Sequence, residues 1–138
     1  CRQLATYVIF DSPLNMLCDN PSNYKREPEC TAFIARIPTV WDETLGLDGK
    51  VGEYITMARR SGDEWYVGGL TNWDKRDIIV DLSFLGEGFY EIELFKDGIN
   101  ADRAACDYKR VVMPVPEDRQ LKVTLFPGGG FAGRIERR

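Results

Sequence analysis

From Pro38 onward the sequence is a series of short β-rich runs separated by turn signals, and this pattern limits the fold more than any other feature. The turn signals are Asp48-Gly49, Ser61-Gly62, Gly86-Glu87-Gly88, Asp97-Gly98 and Glu117-Asp118. Regularly spaced strands with no helix between them are typical of all-β folds. The sequence therefore predicts a mainly β fold, an antiparallel β-sandwich of about eight strands.

Several of the runs alternate apolar and polar residues, which places one face of each strand in a core. The clearest is Phe89 to Phe95, where Glu91 and Glu93 are expected to face solvent. Leu121 to Leu125 and Ile78 to Leu82 repeat the alternation.

Two further features predict how strands pair. Tyr54 to Met57 and Trp65 to Val67 flank the turn at Arg60 to Asp63, which indicates a hairpin. Pro114 and Pro116 lack a backbone N–H, so we expect their strand at the edge of a sheet.

Two helices are predicted before the strands. Apolar residues at helical spacing indicate a helix from Arg2 to Asp19 that Pro13 kinks or restarts. Asn20 to Asn23 is expected to break it, and a second helix runs from Glu27 to Ile37. We therefore divide the chain into a helical segment, residues 1–37, and a sandwich domain, residues 38–138.

The composition excludes several classes of function. The 138 residues carry 22 acidic and 18 basic side chains in mixed order, so we expect neither a nucleic-acid nor a membrane partner. The chain contains no His, which excludes zinc fingers and Ser/His/Asp or Cys/His catalysis within it. It begins at Cys1 with no initiator methionine and no signal-peptide pattern, so we expect a piece of a longer protein.

No catalytic or metal-binding residue stands out. The carboxylates are many, but no pair is marked by its spacing as a glycosidase acid and base. The segment Asp97 to Asp102 offers oxygen ligands without EF-hand spacing, so a hairpin loop is favoured over a calcium site. Gly128 to Gly130 predicts a tight bend before the last strand. Cys18 and Cys30 are either free thiols, which we favour, or a pair formed in an oxidising compartment.

The three tryptophans are the candidate carbohydrate-binding residues. Exposed aromatic rings on a β-sandwich can stack against sugar rings, and the candidates are Trp41, Trp65 and Trp73. Packing in a core or between domains is the favoured use of such large aromatic side chains. Sugar binding stays open as the alternative.

Read as whole phrases, the chain is similar to the C-terminal end of glycoside hydrolase family 97, a family of α-glucosidases and α-galactosidases. The resemblance is carried by Gln3-Leu4-Ala5-Thr6-Tyr7-Val8, Asp11-Ser12-Pro13-Leu14-Asn15-Met16-Leu17, Pro38-Thr39-Val40-Trp41-Asp42-Glu43-Thr44, Gly52-Glu53-Tyr54, Ala58-Arg59-Arg60, Trp65-Tyr66-Val67-Gly68, Thr71-Asn72-Trp73, Phe84-Leu85-Gly86-Glu87-Gly88, Lys96-Asp97-Gly98-Ile99-Asn100-Ala101-Asp102 and Pro127-Gly128-Gly129-Gly130-Phe131-Ala132.

The resemblance implies an accessory C-terminal sandwich that packs on a catalytic (β/α)₈ barrel preceded by an N-terminal domain. The helix at Arg2 to Asp19 then resembles the last helix of the barrel, with Leu4, Tyr7, Val8 and Leu14 as barrel-packing residues. The implied parent hydrolyses α-glucosidic or α-galactosidic bonds in the periplasm or outside the cell, while this piece is inactive by itself. Calcium is expected in the parent's catalytic domain, and no cofactor is expected here.

Overall fold

The structure, a computed structural model, describes residues 1–12, 16–17 and 19–138 of the chain. Within them lie three helices and eight strands. The helices are α1 (Arg2–Ile9), α2 (Pro21–Arg26) and α3 (Pro28–Arg36). The strands are β1 (Glu43–Lys50), β2 (Tyr54–Ser61), β3 (Glu64–Thr71), β4 (Arg76–Asp81), β5 (Tyr90–Asp97), β6 (Tyr108–Pro114), β7 (Gln120–Leu125) and β8 (Gly130–Arg137).

Two antiparallel sheets form the sandwich, which confirms the predicted fold. The larger sheet has the strand order β1-β2-β3-β8-β5-β6, and the smaller one pairs β4 with β7. The β2–β3 hairpin has the predicted turn, with Ser61 opposite Glu64. β6, which ends at Pro114, lies at the edge of the larger sheet, as the missing backbone N–H predicted.

The main core lies between the two sheets. Alternate residues of the strands meet there, including Val67, Val80, Ile92, Leu121 and Ile135, each at most 1% exposed. The period-2 pattern of the sequence is therefore the pattern of this core.

α1 and α3 cover the opposite side of the larger sheet, which we call the helix face, and α2 packs against α3. A second core forms there, in which Leu4 of α1 and Phe33 of α3 pack with Phe95 and Ala132 of the sheet. The Phe33 and Phe95 rings have centroids 4.9 Å apart. The larger sheet is thus buried on both sides over part of its width.

The helix face corrects the expectation that Glu91 and Glu93 face open solvent. Both lie on this face, and the Glu93 side chain is only 12% exposed because Arg36 and Arg110 pair with it at 3.1 and 2.7 Å. The alternation of β5 separates two covered sides, one lined by the second sheet and the other by helices.

The helical segment also differs from the prediction. α1 ends at Ile9, and Phe10 is extended, with ψ at 133°. α2 begins where a break was expected, because Asn20 accepts a hydrogen bond from the Asn23 N–H at 3.1 Å and Pro21 occupies the first turn. Three helices therefore precede the strands, and the division into two parts at residue 38 stays a prediction. No helix in the described part of the chain is long and apolar enough to cross a membrane.

Candidate interdomain face

Several polar side chains with buried partners surround α1 on the helix face. The helix lies against β3 and β8, and Ala5 and Val8 are fully buried. Gly68 makes the close approach possible, since a Cβ at this position would stand 3.1 Å from Cβ of Val8. A glycine in the middle of β3 thus sets the distance between helix and sheet.

An arginine holds each end of α1. At its start, Nη1 of Arg2 donates to the carbonyl oxygens of Thr71 and Gly128 at 3.0 and 3.2 Å. At its end, Arg59 of β2 donates to the carbonyl oxygens of Phe10 and Ile9 at 3.2 and 3.4 Å. The last carbonyls of a helix lack intrahelical donors and form the negative end of its dipole, so a guanidinium suits both needs.

Arg59 is a buried charge, with 3% of its surface exposed. Among the described residues no carboxylate pairs with it, and its Nε has no hydrogen-bond partner. Its Cζ lies 5.6 Å from the centroid of the Trp41 ring. The helix carbonyls and the face of this ring therefore replace water around the guanidinium.

Trp41 in turn packs edge-on against Tyr66, with ring centroids 5.4 Å apart. The buried Tyr66 hydroxyl lies 2.9 Å from Oε2 of Glu64 and 3.0 Å from the carbonyl oxygen of Arg36 at the end of α3. Burial, together with the acidic neighbour, raises the pKa of Tyr66 to about 12. The phenol therefore stays neutral at physiological pH and acts as a hydrogen-bond donor.

Glu64 is bound by the guanidinium of Arg134, which uses Nε at 3.0 Å for one carboxylate oxygen and Nη2 for the other. These hydrogen bonds hold the pKa of the Glu64 carboxyl below its ordinary value. The carboxylate is thus ionised and fully occupied, which fits a positioning role better than an acid or base role.

An open groove of about 440 Å³ borders α1 on the side of β1 and β2. Its lining includes Arg2, Val51, Ile55 and Leu70. Val51 is fully exposed, Ile55 is 39% exposed, and Phe10 at the far end of α1 is 53% exposed. Apolar surface therefore continues outward from the helix that the arginines hold.

The predicted barrel-packing residues are buried within this chain. Leu4, Tyr7 and Val8 are at most 7% exposed, and Leu4 packs with Phe33 of α3. Leu14 lies outside the described residues. The sheet and α3 thus take the place that we predicted for the barrel against these three side chains.

The tryptophans do not form a shared platform. Trp65 is 9% exposed in the core between the sheets and packs on Phe84 at 4.5 Å, which corrects its candidacy for sugar binding. Trp41 is half-buried beside Arg59. Trp73 is 83% exposed and lies against Gly128. Only Trp73 keeps most of its ring open to a ligand.

The loop that we weighed as a calcium site has a structural use. Oδ2 of the buried Asp97 accepts hydrogen bonds from the N–H groups of Phe126 and Gly130 at 3.1 and 3.0 Å. Over the described part of the chain, no three acidic, Cys or His side chains gather as a metal site. Cys30 is a free thiol, and Cys18 lies outside the described residues.

A protein-family model described as "Glycosyl-hydrolase 97 C-terminal, oligomerisation" matches residues 40–136, more than half of the chain. The chain belongs to this family. The resemblance seen in the sequence is thereby confirmed, and the β-sandwich is the C-terminal accessory domain of the family 97 type.

Three relatives show how far the family 97 likeness extends. The chain is 66% identical over 136 residues to a retaining alpha-galactosidase of Bacteroides thetaiotaomicron, covering 99% of this chain and 20% of that protein. It is 32% identical over 130 residues to a probable retaining alpha-galactosidase of Streptomyces bingchenggensis, covering 94% of this chain and 19% of that protein. A family 97 enzyme from Pseudoalteromonas sp. strain K8, solved with acarbose, superimposes with a TM-score of 0.93 at 35% identity, covering 99% of this chain and 22% of that one. The chain thus spans about a fifth of the length of its relatives.

Proposed function

We propose that this family 97 domain supports the catalytic domain of a retaining α-galactosidase. The observation that carries the proposal is the 66% identity, over almost the whole chain, to a protein with that name. The second relative bears a corresponding name, so the galactosidase branch is favoured over the glucosidase branch. The activity itself belongs to the longer protein.

The helix face is the surface that we assign to the catalytic domain. In a longer protein the residues before Cys1 enter at the start of α1, directly on this face. The groove beside α1 and the exposed Phe10, Val51 and Ile55 offer apolar area there. The hydrogen bonds of the arginines at both ends of α1 order this surface before docking, which lowers the conformational entropy lost when a partner binds.

The remaining parts of the proposal follow from the family likeness. We assign the catalytic chemistry to a (β/α)₈ barrel preceded by an N-terminal domain, and a calcium ion to that barrel. We also propose a periplasmic or secreted location, because the family resemblance implies one. The domain described here supplies support for the barrel.

The test is an assay of the full-length protein and of the 138-residue chain with aryl α-galactoside and aryl α-glucoside. We expect the full-length protein to prefer the galactoside and to release α-galactose first, as proton NMR of the early product would show. The chain alone should give no turnover. Preference for the glucoside, release of the β-anomer, or turnover by the chain alone would each contradict the proposal.

Binding of an oligosaccharide is a second candidate function, and the exposure of Trp73 favours it. A ring that is 83% exposed can stack on a sugar, as aromatic platforms of binding modules do. We expect millimolar α-galacto-oligosaccharide to quench the tryptophan fluorescence of the chain and Trp73→Ala to abolish the change. A titration with Trp41→Phe serves as the control. An unchanged fluorescence spectrum would contradict sugar binding and leave support of the catalytic domain as the proposed function.

A further inference from the structure

Four of the chain's six lysines line one groove on the flank of the sandwich, which we call the lysine groove. The groove has a volume of about 330 Å³, and its lysines are Lys75, Lys96, Lys109 and Lys122. Lys96 lies on the same side of β5 as Ile92 and Leu94, which face the smaller sheet. The lysine groove therefore opens away from the helix face.

Two of these lysines stand directly opposite each other. Lys96 of β5 and Lys109 of β6 are partners in the antiparallel ladder, so their side chains leave the sheet on the same side. Like charges placed directly opposite each other destabilise a pair of strands. Lys75 precedes β4 and Lys122 lies on β7, so the smaller sheet brings two more positive charges to the groove rather than a compensating acid.

The charges of the lysine groove are not neutralised within the described part of the chain. None of its four lysines takes part in an ion pair there. Lys75 instead has its Nζ 5.0 Å from the centroid of the Phe126 ring. Two carboxylates beside the groove accept other hydrogen bonds: Asp97 from two backbone N–H groups and Asp77 from the Thr124 hydroxyl. The groove thus stays positive in a chain whose net charge is −4.

An exposed aromatic ring lies near one end of the lysine groove. Trp73 lies against Gly128 and Lys75 lies against Phe126, so the segments 73–75 and 126–128 run side by side. Most of the Trp73 ring is open to solvent. An aromatic ring offers a flat apolar surface on which a sugar ring can stack. A ligand in the groove could therefore place one sugar on Trp73 while its charged groups meet the lysines.

We propose that the lysine groove binds an acidic oligosaccharide whose successive sugars carry carboxylate groups. Its lysines come from four separate segments, so the positive charge is spread along the groove and suits a ligand with spread charges better than one small anion. A volume of about 330 Å³ is that of a small-ligand site and fits a short oligosaccharide. The chain belongs to a family of glycosyl hydrolases, so a carbohydrate is the expected kind of ligand.

The proposal adds a requirement for charge to the second candidate function. It rests on that function only for the stacking of a sugar on Trp73, and different variants test the two contributions. Trp73→Ala should weaken the binding of a charged and an uncharged oligosaccharide alike, whereas lysine variants should weaken the charged one alone. Charge pairs in an open groove are screened by salt, so the affinity for the acidic ligand should fall as ionic strength rises.

The test measures the binding of trigalacturonate to the full-length protein by isothermal titration calorimetry, at about 50 mM and about 500 mM NaCl. The matched ligand is the fully methyl-esterified trigalacturonate, which has the same sugars without their charges. We expect the acid to bind roughly tenfold more tightly than the ester, or better, at low salt. The preference should disappear at high salt.

Lys96→Gln combined with Lys109→Gln should abolish the preference for the acid. The double variant removes two facing like charges, so it should be at least as stable as the unaltered protein, and thermal unfolding checks this. Lys25→Gln combined with Lys50→Gln is the matched control, because it removes the same charge from two exposed positions outside the groove. The control should keep the preference for the acid.

Three results of the calorimetry would overturn the proposal: equal affinity for the acid and its ester, an unchanged preference in the Lys96 and Lys109 double variant, or an equal loss in the control variant. Co-sedimentation with phosphatidylglycerol vesicles tests the other source of negative charge. A protein that binds these vesicles through the same lysines but does not bind trigalacturonate would have a groove for a lipid surface, which also overturns the proposal.

Discussion

Replacing Arg59 with alanine is expected to lower the free energy of unfolding of the chain by about 3 kcal/mol or more. The substitution removes two charge-assisted hydrogen bonds, each worth roughly 1.5–3 kcal/mol, and a desolvated cation–π contact worth about 2. It also leaves the carbonyls of Ile9 and Phe10 without these donors at the end of α1. Urea denaturation, with the m value checked for a two-state transition, measures the loss.

Arg60→Ala is the matched control, because Arg60 follows Arg59 along β2 and pairs with Glu43 at the surface. Arg60 also pairs with Asp42, and its Cζ lies 6.0 Å from the centroid of the Trp65 ring. Exposed ion pairs and exposed cation–π contacts each contribute about 1 kcal/mol or less, so this variant should lose clearly less stability than Arg59→Ala. Hydrogen exchange locates the effect: the α1 amides should exchange faster in Arg59→Ala than in Arg60→Ala. Equal losses for the two variants would show that the buried arginine does not hold α1.

The strands were predictable because several of them alternate apolar and polar residues with the period of an extended chain. Runs such as Phe89 to Phe95 and Leu121 to Leu125 alternate with period 2, and both form strands of the sandwich. The turn dipeptides and the proline at the end of β6 then fix where strands end and which one lies at an edge. Each of these signals acts over a few residues and does not depend on distant parts of the chain.

The helix face was predicted less well, because its residues depend on contacts across 30 or more positions. Glu91 and Glu93 look solvent-exposed until α3 and its Arg36 pack over β5. α1 ends at Ile9 although helical spacing continues, and its last carbonyls are bound by Arg59, fifty residues away. Local pattern alone contains none of these long-range partners.

The residues around Arg59 were missed for a related reason, although one signal was present. Alternation along β2 puts Arg59 on the same side as Ile55 and Met57, and a charge on an apolar side of a strand needs a buried partner.

The tryptophans were the predicted sugar-binding candidates, and their burial differs: Trp65 is a core residue and Trp73 is exposed. Exposure of a single aromatic ring cannot be read from its neighbours in sequence.

Replacing Gly129 with alanine is the second change with a large expected effect, about 3 kcal/mol or more of unfolding free energy. A Cβ at this position would overlap the Asp97 carboxylate and stand 2.8 Å from the carbonyl oxygen of Phe126. Overpacking of this kind costs about 1–3 kcal/mol, and displacing Asp97 also breaks its two hydrogen bonds to the Phe126 and Gly130 N–H groups. Denaturant unfolding again supplies the measurement.

Gly46→Ala distinguishes this cause from a general effect of replacing a glycine with alanine. Nothing lies within 4 Å of a Cβ at Gly46, so the variant should be unchanged or up to about 1 kcal/mol more stable. A double-mutant cycle then identifies the clashing partner. In an Asp97→Ala background the carboxylate is absent, so Gly129→Ala should cost clearly less than it does alone. Strict additivity of the two losses would show that the cost of Gly129→Ala does not come from the carboxylate of Asp97.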